Sequence, residues 1–114
     1  MKEKFLLWLS GIQEDDPLPF EIKYIFFCVH KENAGFFFSY GANEREETRA
    51  FNFEYYPLEA QYFYDKNLEK GNAFEILRNL GQAALDDERT KRIFLNKIVY
   101  LAEYGQEPVF VLQG

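Results

Sequence analysis

The sequence holds one cysteine, Cys28, and one histidine, His30. A lone cysteine rules out an internal disulfide, and a lone imidazole rules out every site that needs two, the helical zinc-protease motif included. Structural zinc is excluded on the same ground, since no Cys or His is left to converge on that pair. No calcium-loop spacing occurs. There is no Gly-Lys-Ser/Thr sequence, and the stretch from Gly35 to Gly41 encloses the bulky Phe36, Phe37 and Phe38, so no phosphate-cradling loop is present. Long apolar runs are missing as well. No stretch approaches the roughly 18 residues of a membrane span. The apolar cluster Phe5–Leu9 behind Lys2 and Lys4 is too short for a signal core and is followed by Glu14, Asp15 and Asp16. No membrane partner is expected, and the unpaired cysteine fits a reducing, cytoplasmic setting.

Positive charge is also scarce. Thirteen Lys and Arg stand against 19 Asp and Glu, a net charge of −6, which denies the chain the counterion release that drives nucleic-acid binding. No nucleic-acid partner is expected. Apolar and charged fractions of 47% and 28% are those of a folded protein, and 114 residues match one independent domain, so residues 1–114 are read as a single domain.

What the chain has in excess is aromatic. Thirteen Phe, eight Tyr and one Trp make up 19% of it, concentrated between Phe20 and Phe74. Such rings favour strands and bury large areas at small entropic cost.

Phe5, Trp8, Leu9 and Ile12 follow helical spacing and predict a helix over Lys2–Gln13, weakened at Gly11 and stopped before Pro17 and Pro19. Glu21–Lys31 is apolar on both alternating sets, as in a strand covered on both faces. Asn33, Ala34 and Gly35 supply a turn into a second strand over Phe36–Tyr40. Gly41–Glu47 reads as a charged loop and Thr48–Tyr55 as a strand with one wet face. Pro57 breaks that strand, and Ala60–Tyr64 is a shorter fourth one. Asn72 caps a helix carrying Phe74, Leu77, Leu80 and Ala84 on one side. Asp86 and Asp87 cap a third, with Phe94, Ile98 and Leu101 as its stripe and Gly105 as its stop. Past Pro108, Val109–Leu112 has strand character. The expected fold is α+β: an N-terminal helix, an antiparallel meander of three or four strands, a C-terminal helical pair and a short final strand, with the helices on one sheet face.

Cys28 and His30 point the same way on a strand, which would permit a thiolate–imidazole pair. Phe26, Phe27 and Val29 around the thiol argue instead for a buried structural cysteine, because apolar surroundings disfavour the thiolate. The densest basic group, Arg89, Lys91, Arg92 and Lys97, is diluted by Asp86, Asp87 and Glu88 and reads as a solvated helix face. No catalytic constellation, metal site or cofactor motif can be assembled from adjacent or motif-spaced residues.

The candidate binding residues are Tyr56, Tyr62 and Tyr64, because tyrosines clustered about a turn present rings that are apolar at one end and wet at the other. The expected function is non-enzymatic protein binding or assembly, with homodimerisation or another protein as partner. Two alternatives stand beside it: a small enzyme or small-molecule-binding domain with a tyrosine-lined pocket, and an acidic inhibitor or immunity-type protein that covers a basic partner.

Overall fold

The computed structural model describes residues 1–32, 35–45, 53–55, 62–70, 72–105 and 110–114. Helix α1 spans Lys2–Asp15 and buries Phe5, Leu6, Leu9 and Ile12. It ends two residues before Pro17, which has no amide to donate to a further turn. Helix α2 spans Ala73–Asp86, and its first turn is closed as expected, with Asn72 Oδ1 accepting from the Glu75 amide at 3.1 Å. It buries Leu77, Leu80 and Ala84.

The sheet has five strands: β1 (Tyr24–Glu32), β2 (Gly35–Asn43), β3 (Tyr62–Phe63), β4 (Ile98–Glu103) and β5 (Phe110–Gln113). Their order is β3-β2-β1-β4-β5. β1 pairs antiparallel with β2, with Cys28 opposite Ser39 and His30 opposite Phe37. β2–β3 and β4–β5 are also antiparallel, whereas β4 lies parallel to β1.

The parallel strand corrects two expectations. The sheet is mixed and is not a plain meander. The third helix is absent: Lys91–Phe94 forms one 3-10 turn, and Ile98–Glu103 is a strand. Phe94, Ile98 and Leu101 do fall at helical spacing, but the unbroken run Ile98-Val99-Tyr100-Leu101-Ala102 suits a strand buried on both faces, and a short apolar run fits either period. Asn96, at φ 62°, turns the chain into β4. Gly105, at φ 78°, starts the turn that leaves β4 and stops no helix.

A third correction concerns β2. Residues 41–43, read as the start of a loop, continue the strand and are buried. Gly41 is needed there because Phe53 lies flat against it; a Cβ at that position would come within 2.2 Å of the ring. Of the expected strand Thr48–Tyr55, residues 48–52 lie outside the described residues, and Tyr55 bridges to Ala42 through reciprocal 3.0 Å bonds. The turn residues Asn33 and Ala34, the breaker Pro57, and Ala60 and Gln61 of the fourth strand also lie outside them, as do Pro108 and Val109.

Both helices cover the same sheet face. Phe5 of α1 meets Phe27 and Phe63 edge-on at 6.0 and 5.2 Å, and Phe27 also packs on Tyr40 and Phe94. This core takes Ile25, Phe27 and Val29 from β1, Phe38, Tyr40 and Ala42 from β2, and Val99 and Leu101 from β4. Arg89 ties the start of α1 to the end of α2 by forking onto Glu3 while also bonding Asp87. That pairing pulls the Asp87 carboxyl down to about 2.

The opposite sheet face carries the alternate residues of the same strands. Phe26, Cys28, Tyr100 and Ala102 are buried there, with Tyr24, Phe53 and Ile98 packed around them. No helix among the described residues is long and apolar enough to cross a membrane.

Candidate functional site

Strand alternation and the β1–β2 register assemble an aromatic cluster at one end of the face turned away from the helices. His30 stacks between Phe37 at 4.5 Å and Tyr104 at 4.3 Å, with interplanar angles of 12° and 24°. Tyr62 closes the group edge-on, 5.7 Å from His30 and 4.8 Å from Phe37. Four strands or strand ends therefore each give one ring. Tyr62 is 51% exposed and Tyr104 39% exposed, so the cluster is buried at its root and wet at its rim.

Beneath the rings runs a polar chain. His30 Nε2 is 2.6 Å from Ser39 Oγ, and Ser39 also hydrogen-bonds the Cys28 thiol. Cys28 and His30 do face the same way, as their spacing predicts, but the structure sets Ser39 between them. The Ser39 hydroxyl thus sits within hydrogen-bond reach of both groups, and the His30 tautomer decides which way its proton points. Burial holds His30 near pKa 4 and pushes the Cys28 thiol up to about 12. Cys28 and Ser39 are fully buried, so neither presents a nucleophile to solvent.

The depressed His30 pKa has a stability consequence. The unfolded chain takes up a proton near 6.5 that the folded chain accepts only near 4, so the contribution is complete above pH 6.5 and is lost as pH falls toward 4. The ring is half in water, and screening reduces the effect to about 1–2 kcal/mol. Urea unfolding should show stability declining between pH 6.5 and 5, with that slope absent in His30→Phe. An equal slope in the variant would refute the assignment.

The candidate tyrosines separate. Tyr62 belongs to the cluster and Tyr64 is 50% exposed, with its carbonyl accepting from Lys4 Nζ at 2.9 Å. Tyr56 lies outside the described residues. Tyr55, next to it in sequence, is buried and donates its hydroxyl to the Asp16 carbonyl. Sequence reasoning missed Phe37, Ser39 and Tyr104 as members of the site. The first two follow from the β1–β2 register, while Tyr104 was assigned to the expected third helix.

Among the described residues, no three or more His, Cys, Asp or Glu side chains group to hold a metal ion. A groove of about 1040 Å³ at the other end of β1 is lined by Tyr24 and by neither Tyr62 nor Tyr64. Comparison with protein-family models, curated proteins and solved structures found no match.

Proposed function

We propose that this chain is a non-enzymatic assembly domain that pairs with a second copy of itself through the surface centred on Tyr62, with Tyr64 and Tyr56 contributing. The observation that supports this reading is the stacked group Tyr104–His30–Phe37 with Tyr62 set across it, half exposed. Rings already fixed by stacking lose little entropy on docking, and partly exposed tyrosines are the residues that most often anchor interfaces. The neutral imidazole adds no charge that docking would have to desolvate. Two-fold pairing is the commonest way for a chain to cover such a surface.

Sedimentation at micromolar concentration should show a dimer. Tyr62→Glu, at an exposed position, should weaken pairing at least about tenfold and leave the circular dichroism unchanged. A wild-type protein that stays monomeric under these conditions, or a variant that pairs as well as wild type, overturns the reading.

A further inference from the structure

The fold sorts the basic residues of the sequence in a way their spacing does not show. Arg89 is committed to Glu3 and Asp87, and Lys91 to Glu88 at 2.7 Å. Arg92 has no carboxylate partner among the described residues, and the fold brings to it Lys23, just ahead of β1, and Arg45, just past β2, which have none either. Lys97 is held beside them by the carbonyls of Phe20 and Ile22. Among the described residues these four cations line the groove of about 1040 Å³ with two carboxylates, Glu21 and Glu44. A surplus of positive charge therefore gathers in one place on a chain whose net charge is −6.

The same groove carries apolar surface. Phe20 is 95% exposed and Leu95 67% exposed, while Leu18 and Ile93 line it from the core side. A phenylalanine left in water forgoes the free energy that burial of its ring would release. Unpaired guanidinium groups bind carboxylates bidentately, and an exposed ring beside them is the composition of an interface anchor.

We propose that this groove binds an acidic segment of a partner protein that carries an apolar side chain between its carboxylates. The carboxylates engage Arg92, Arg45 and Lys23, and the apolar side chain covers Phe20 and Leu95. A compact anion would satisfy the cations and leave the Phe20 ring in water, whereas an extended segment covers both. The groove lies at the Tyr24 end of β1 and the His30 cluster six residues along, roughly 20 Å away, so the two surfaces can be occupied independently.

Fluorescence anisotropy with a labelled ten-residue peptide of glutamates around a central phenylalanine tests this. Saturable binding is expected, weakening at least about tenfold when salt is raised from low to near-molar concentration, as screened charge pairs require. Replacing the central phenylalanine by alanine, or Phe20 by serine in the protein, should each weaken it by about fivefold to tenfold. The double variant Lys23→Glu, Arg92→Glu should lose binding at positions exposed enough to spare the fold. Tyr62→Glu should leave binding unchanged, which separates this proposal from self-association. Failure of the peptide to bind, equal binding of a lysine version, equal binding by the double variant, or tighter binding of a single-stranded oligonucleotide each overturns it.

Discussion

Phe27→Ala should lower the unfolding free energy by about 3–5 kcal/mol, which is the cost of deleting a fully buried ring whose surroundings cannot close the gap. Phe27 has no exposure and sits at the centre of β1, which is itself held by β2 on one side and β4 on the other. Its ring contacts Phe5 from α1, Tyr40 from β2 and Phe94 from the 3-10 turn. α2 approaches it at a glycine; a Cβ on Gly81 would stand 3.2 Å from the Phe27 ring and 2.8 Å from Leu112. The void would thus open where both helices meet the sheet, between elements anchored elsewhere. Domains of this size are stable by about 5–15 kcal/mol, so the variant gives up a large share of the total. Urea unfolding followed by circular dichroism should show a lower midpoint with an unchanged slope. A loss below about 1 kcal/mol, the usual effect of a surface substitution, would show that the core is not organised around this ring.

The parts of the fold that could be read from the chain are those where local chemistry and tertiary demand agree. α1 and α2 carry apolar residues at helical spacing, and proline stops one while Asn72 starts the other. β1 and β2 are dense in β-favouring rings. The errors fall where a residue type has two physical meanings. Gly41 opens the expected charged loop Gly41–Glu47, but in the structure it is a small strand residue that lets Phe53 lie against the sheet. The run Ile98–Ala102 could be a helix stripe or a doubly buried strand, and its parallel pairing with β1, more than 60 residues distant, decides between them. Losing β4 concealed the site as well. Tyr104 reaches His30 only because β4 runs alongside β1, just as Lys23 and Arg45 reach Arg92 only in the assembled fold. Cys28 and His30 were legible as a pair because a strand's period of two is local. Ser39 was not legible between them, because its place depends on the pairing register.

Cys28 should be inert to thiol reagents in the folded protein and should react fully once the chain is unfolded. Two effects act in the same direction. The reactive species is the thiolate, and burial raises the thiol from its ordinary 9.0 to about 12, with the Ser39 hydroxyl offsetting only part of that rise. At neutral pH this alone lowers the thiolate fraction about a thousandfold. The sulfur is also fully buried in the central strand, so reagent reaches it only when β1 opens, and strands paired on both sides open near the global unfolding free energy. Native modification should therefore be slower than in urea by well over a thousandfold, and Phe27→Ala, by favouring opening, should accelerate it. The same shift makes the folded state lose stability as pH rises from 9 toward 12, because the unfolded chain releases the thiol proton first. Rapid labelling of the native protein would mean that Cys28 is accessible and at least partly ionised. The Cys28–Ser39–His30 chain would then be a reactive group, and the non-enzymatic reading would fall with it.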